Sequence, residues 1–172
     1  MPALSRAADH GLVWLGIASL LAGSERHDLR RAAARATVSL MAASTTVNGI
    51  AKLVVGRARP PLDGIAAVRR VRRLPVTTSF PSGHAASAAA FTVGAVREAP
   101  ATAAPLGLLA AGVALSRVWT GAHYPADVVV GAALGATVAA ALPPAVQVDC
   151  RSLLWRLLGW QAVHTLRGLP TR

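Results

Sequence analysis

The sequence predicts an all-α fold, a polytopic transmembrane helical bundle of about five spans, and three observations carry that prediction. Hydrophobic residues make up 53% of the 172-residue chain, yet aromatics only 4%, so Ala, Val, Leu and Gly supply the apolar bulk. A soluble core of this size needs larger side chains to fill it, whereas membrane helices pack closely through small ones. Next, stretches free of Asp, Glu, Lys and Arg recur at Gly11–Ser24, Ala36–Ala51, Leu74–Val96, Ala99–Ser116 and Val128–Val148. Finally, the arginines cluster between those stretches, as juxtamembrane loops facing anionic headgroups do.

The elements follow in order. The first helix is expected over residues 4–23, its charge-free stretch being short enough to need Ala3–Ala8 for a full span. The second, over 33–55, uses Leu53–Val54–Val55 and a snorkelling Lys52 to reach span length. The third, over 82–97, cannot begin before Pro81, because proline disfavours helix in the residue preceding it. The fourth and fifth are expected over 101–119 and 125–143. Connections are short except 56–81, which carries the Arg69-Arg70-Val71-Arg72-Arg73 run. Residues 1–145 thus form one membrane-embedded domain. Residues 146–172, mixing Trp155 and Trp160 with Arg151 and Arg156, read either as an interfacial helix or as a poorly ordered tail.

The net charge is +11, from 18 Lys and Arg against 7 Asp and Glu. Nucleic-acid binding would place that charge on one polar face with aromatics or a reader module, and neither pattern occurs. The lone Cys150 makes no internal disulfide, and no Cys/His spacing resembles a zinc site. No separate signal peptide with a cleavage site precedes the first span, which suffices for membrane targeting.

In an up-down bundle the end of the second helix, the starts of the third and fifth, and the end of the fourth share one membrane face. The suspicious polar residues sit at those four ends. Asp127 is an acidic residue at the edge of a long apolar run, where a carboxylate is costly and normally partnered. His123 lies four positions earlier, about one turn away. Pro125 suits a first helical turn, so His123 sits just outside it. Asp127 is expected to accept a hydrogen bond from one imidazole nitrogen and so raise the basicity of the other, making a nucleophile toward phosphorus. Arg117, six residues before His123, presents a planar fork suited to phosphate. Lys52 and Arg59, seven residues apart, lead into Pro60-Pro61 and can neutralise one anion. Pro81, Ser82, Gly83 and His84 open a helix whose free amides make an anion site, with His84 placed to give a proton to a leaving oxygen. Taken singly, each has a structural reading: a capped helix, a snorkelling anchor, a packed histidine.

Together they read Lys52-x6-Arg59-Pro60, Pro81-Ser82-Gly83-His84 and Ser116-Arg117-x5-His123-x3-Asp127. That order and spacing resembles the tripartite signature of the type 2 phosphatidic acid phosphatase family, which includes bacterial haloperoxidases and acid phosphatases. The resemblance covers residues 52–127 by motif and 1–143 by helix pattern. Gly121–Asp127 resembles the membrane branch, and the chain is similar to the phosphatase half of actinobacterial proteins fused to a lipid-kinase-like half, which is lacking in this sequence. The resemblance implies that His123 attacks phosphorus and becomes phosphohistidine, Asp127 orients it, and His84 protonates the leaving group. It implies that Lys52, Arg59, Ser82, Gly83 and Arg117 hold the phosphate, with no metal and no cofactor. Membrane members commonly have six spans, two of them before the first motif; this chain has room for one.

The cation count is nine on each face, or six against nine once Lys52, Arg59 and Arg117 are set aside, which places the active face outside the cytoplasm of a multi-pass cell-membrane protein. A membrane-facing site suits a lipid-phosphate substrate. Phosphatidic acid, phosphatidylglycerol phosphate, polyprenyl diphosphate and polyprenyl-phosphosugars all fit, since the motifs read phosphate and not the tail. They set no oligomeric state. Two rival functions are a vanadate-dependent haloperoxidase and a non-enzymatic protein whose basic loops bind anionic lipid.

Overall fold

The computed structural model describes residues 11–51, 56–61 and 78–143. Lys52, the Arg69–Arg73 run, the N-terminal part of the first expected helix and the tail lie outside the described residues. Among the described residues five α-helices follow one another: α1 Leu12–Ala22, α2 His27–Thr45, α3 Gly83–Val96, α4 Ala103–Trp119 and α5 Pro125–Ala141. A π-helical turn, Thr46–Ala51, extends α2, and a 3₁₀ turn, Pro100–Thr102, leads into α4. No strand occurs among the described residues.

The helix order and the boundaries of α3, α4 and α5 match the sequence expectation to within two residues at each end. The start of α2 does not. It begins at His27, six residues before the expected position 33. Asp28 sits in its first turn, where a carboxylate favours the helix N-terminus, and pairs with Arg26 at 2.6 Å. The charge-free criterion therefore cut off a polar first turn. Span length is the other correction. Pro100–Trp119, 20 residues, is long and apolar enough to cross a membrane, whereas Leu12–Ala22 and Pro125–Ala141 are apolar but shorter. The expected five spans are present as helices but not all at span length: α2 spends its first turns on charged residues, and α3 has only 14 residues.

Helix α3 is the hub, packed against α2, α4 and α5. Its buried face is mostly alanine: Ala85, Ala86, Ala88, Ala90 and Ala95, with Phe91 and Gly94. Small residues let the neighbouring backbones come close. A Cβ added at Gly94 would stand 2.9 Å from the Ala36 Cα of α2, and one added at Gly131 or Gly135 of α5 would overlap the main chain of Ser82 or Ala86. Gly131 and Gly135 are one turn apart on α5, as Ser82 and Ala86 are at the start of α3, so these two helices run parallel. Asn48 lies against Gly83, and Ser39 against Gly94, so α2 runs antiparallel to α3. Trp14 of α1 closes the core on Phe91, with ring centroids 5.1 Å apart.

Polarity is distributed inside out. Leu12, Leu20, Leu108, Leu115 and Val129 are each at least 63% exposed, while Arg35, Ser82, Arg117, His123 and Asp127 are buried. At the end remote from the motifs, Arg35 donates to the carbonyls of Leu142 at 2.7 Å and Pro143 at 2.9 Å, tying α2 to the chain leaving α5.

Candidate active site

The site is built from three chain segments that meet at one end of the bundle. The first is the turn after α4. Thr120 ends the helix and Gly121 takes the left-handed conformation, φ 70°. The Gly121 amide then donates to Val118 O and the Ala122 amide to Arg117 O, both at 3.0 Å, a Schellman closure. The same Arg117 carbonyl accepts the His123 amide at 3.2 Å. The closure therefore fixes His123 relative to the Arg117 main chain and places it just before Pro125, the first residue of α5. Asp127 stands in that first turn, fully buried, with its Oδ2 accepting the Tyr124 amide at 3.0 Å.

The second segment is residues 78–84. Ser82 caps α3, its Oγ accepting the Ala85 amide at 3.4 Å, and its own amide donates to Asp127 O at 2.9 Å. That bond, and the Gly131 contact, hold the start of α3 against the start of α5. Gly83 and the half-buried His84 form the next residues of the first turn, which brings the positive end of a helix to the site. The third segment is 56–61. Arg59 Nη1 reaches the Ala122 carbonyl at 2.6 Å, one residue from His123.

His123 is buried, 3% exposed. Its Nδ1 lies 2.6 Å from the main-chain oxygen of Ser79 and 3.8 Å from Asp127 Oδ2. A carbonyl only accepts, so Nδ1 carries the proton and Nε2 the lone pair. The expected direct hydrogen bond from His123 to Asp127 is therefore replaced by one to Ser79. The carboxylate acts through that residue instead, its Oδ2 accepting a short hydrogen bond from Ser79 Oγ. Asp127 Oδ1 meets Arg57 Nη1 at 3.0 Å. Burial above all, and then the Arg59 charge, push the His123 imidazole down from its usual range to about 3; the hydrogen bond to Ser79 O opposes this, Arg117 adds to it, and Asp127 pulls upward. His123 is thus a neutral base at neutral pH, held among cations that attract an anion.

Residues 33–149 match the PAP2 superfamily. The chain belongs to this superfamily, and it is a phosphatase. Decaprenylphosphoryl-5-phosphoribose phosphatase from Mycobacterium tuberculosis (strain CDC 1551 / Oshkosh) is 38% identical over 138 residues, 80% of this chain and 73% of that protein. The protein of the same description from Mycolicibacterium smegmatis is 37% identical over 131 residues, covering 75% and 68%. Among solved structures, the transmembrane PAP2-type phosphatidylglycerolphosphate phosphatase from Bacillus subtilis superposes with a TM-score of 0.50 at 25% identity, over 80% of this chain and 79% of that one.

Seven of the eight expected site residues of this PAP2 chain fall in described residues, and the structure brings all seven to one end of the bundle: Arg59, Ser82, Gly83, His84, Arg117, His123 and Asp127. Sequence reasoning passed over three others there. Ser79 carries the imidazole, Arg57 pairs with Asp127, and the half-buried Tyr124 ring lies 4.3 Å beneath the Arg57 guanidinium. Arg57 falls in the x6 spacer of the first motif and Ser79 just before the second, where residue type alone gives no contact. The nearest signal was the excess of cations, two arginines two residues apart at the end of an apolar run.

Proposed function

We propose that this PAP2 phosphatase hydrolyses a phosphomonoester or diphosphate on a lipid or polyprenyl anchor, by way of phosphohistidine at His123 and without a metal cofactor. The observation that carries this reading is the Ser79–His123 bond, which leaves Nε2 as a neutral nucleophile in a cationic pocket. Nε2 attacks phosphorus and the ester P–O bond breaks, with His84 giving its proton to the leaving oxygen. Water, losing a proton to His84, then attacks the phosphorus; the N–P bond breaks, its electron pair returns to Nε2, and phosphate departs. Arg59, Arg117, Lys52, the Ser82 hydroxyl and the Gly83 amide balance the charge on the equatorial oxygens.

The curated relatives are described as acting on a decaprenyl-linked phosphosugar, and their similarity extends over most of both chains. Within the lipid-phosphate class that favours a polyprenyl-phosphoryl sugar phosphate as substrate. The leucine-rich exterior and the apolar α4 support a chain crossing the membrane several times. The excess of cations away from the motif end supports an active site outside the cytoplasm.

The test is phosphate release by detergent-purified protein, in EDTA, from phosphatidic acid, phosphatidylglycerol phosphate, a polyprenyl diphosphate and a polyprenyl-phosphoryl-5-phosphoribose. Release from the last, trapping of acid-labile phosphate on the protein, and loss of both in His123→Ala are expected. Release that needs a divalent metal, or that survives His123→Ala, would overturn the mechanism.

A further inference from the structure

Arg57 occupies one of the unspecified positions of Lys52-x6-Arg59, yet it touches the site through both its main chain and its side chain. Its carbonyl accepts the Ser79 amide at 2.9 Å. Its Nη1 meets Asp127 Oδ1 at 3.0 Å, and its guanidinium lies 4.3 Å over the Tyr124 ring. Ser79 and Asp127 are the two groups that hold the His123 imidazole from behind. Arg57 is bonded to both, and Tyr124 is the residue between His123 and α5. Both oxygens of Asp127 are engaged: Oδ1 by Arg57, Oδ2 by the Ser79 hydroxyl and the Tyr124 amide. The Asp127 carboxylate is completely buried while the Arg57 side chain is 41% exposed, so the pair reaches from the interior to the mouth of the site.

We propose that Arg57 is a positioning residue: it sets the alignment of His123 through Asp127 and Ser79, and it does not bind the substrate phosphate. A guanidinium committed to a carboxylate and stacked on an aromatic face has its fork turned to the Asp127 side of the imidazole. The charges of Arg59 and Arg117 also act on the imidazole, and in the proposed reaction they serve the phosphate at Nε2. Removing Arg57 frees the carboxylate to rotate, loosens the Ser79 hydroxyl it accepts from, and lets the imidazole drift from the attack direction.

The inference rests on the phosphohistidine reading, and the experiment separates the two. Arg57→Ala, Arg57→Lys, Asp127→Asn and the Arg57→Ala/Asp127→Asn pair are assayed on the polyprenyl-phosphoryl-5-phosphoribose in mixed micelles, with orthovanadate inhibition measured alongside. Arg57→Ala is expected to lower kcat by roughly 10- to 100-fold, the usual effect of losing an outer-shell partner. KM and the vanadate inhibition constant should stay within about 2-fold, since binding the phosphate and aligning the nucleophile are separate tasks. Arg57→Lys keeps the charge and should recover much of kcat. The pair should be no slower than Asp127→Asn alone, because residues acting through one another are not additive. A vanadate constant or KM weakened by about 10-fold, or losses that multiply in the pair, would place Arg57 on the substrate and overturn the proposal. If the wild type releases no phosphate, the phosphatase chemistry fails on its own, and the ¹⁵N resonances of the His123 imidazole judge Arg57. A changed Nδ1 signal in Arg57→Ala that Arg57→Lys largely restores supports positioning, and an unchanged signal in Arg57→Ala refutes it.

Discussion

The Nδ1 of His123 meets the main-chain oxygen of Ser79 at 2.6 Å, while the Asp127 carboxylate stands 3.8 Å from the same nitrogen. The tautomer that frees Nε2 is thus held by a carbonyl that no side-chain substitution removes. Asp127 contributes from one step back, through the Ser79 hydroxyl. It follows that His123→Ala and Asp127→Asn differ in kind. His123→Ala should leave no phosphate release above background. Asp127→Asn should retain a measurable rate, lowered by about 10- to 100-fold, as for outer-shell partners of a functional histidine. Single-turnover phosphate release from the two variants checks this, and an Asp127→Asn protein as inert as His123→Ala would show that the carboxylate touches the imidazole directly during turnover.

The electrostatics of His123 give a second expectation. Burial and the neighbouring arginines hold its imidazole near pH 3, against about 6.5 for an unfolded histidine. Between those values the unfolded chain binds the extra proton and the folded one does not, so this residue's contribution to stability falls as pH drops from about 6.5 toward 3. Histidine NMR of the labelled protein in detergent should show His123 still neutral at pH 5. Orthovanadate brings negative charge beside the ring, favours the imidazolium and should move the titration upward. A His123 that titrates near 6.5 in the free protein would contradict the buried, cation-flanked setting.

Close helix contact gives a third. Gly131 and Gly135 let α5 lie directly on the main chain of Ser82 and Ala86, and a methyl at either would overlap backbone that has no flexible end to yield. Overpacking of this kind costs about 1–3 kcal/mol or more. Gly131→Ala should also lower activity, because the atom it displaces belongs to Ser82, the residue that caps α3 at the site. Gly16 of α1, with nothing within 4 Å of an added Cβ, is the control, and Gly16→Ala should be neutral or mildly stabilising. Thermal unfolding of the three variants in one detergent orders them, and a Gly135→Ala protein as stable as Gly16→Ala would refute the close approach of α3 and α5.

The helices α3, α4 and α5 were legible in the sequence because their apolar runs are long and the starts of α3 and α5 are marked by Ser82 and Pro125, chemistry that acts locally. So was the gathering of the motif residues, which follows from alternating helix direction. The start of α2 was not, since Asp28, Arg30 and Arg31 break the apolar pattern while leaving helix propensity intact. Nor was the partner of His123. Spacing places Asp127 one turn from it, but the choice between a carboxylate and a main-chain oxygen depends on how 78–82 folds against α5, a contact between residues more than forty positions apart. Arg57 was hidden for the same reason: its carboxylate partner is 70 residues away in the chain.

The end of the bundle opposite the site offers the last prediction. Arg35 is only 5% exposed, and there it donates to the carbonyls of Leu142 and Pro143 and stands 3.6 Å from Glu98, itself paired with Arg31 at 2.6 Å. Arg31 is 47% exposed, so its pair with Glu98 is screened and contributes about 0–1 kcal/mol. Removing Arg35 leaves two main-chain oxygens and part of a carboxylate without a donor in a buried place, which costs about 3–5 kcal/mol. Arg35→Met should therefore unfold at a clearly lower temperature than Arg31→Met, although each deletes one arginine from the same ion cluster. Because the cluster lies a helix length from His123, the KM of folded Arg35→Met should match that of the wild type. Equal unfolding temperatures for the two variants would mean that the Leu142 and Pro143 carbonyls find other donors, and that α2 and the end of α5 are not clamped through Arg35.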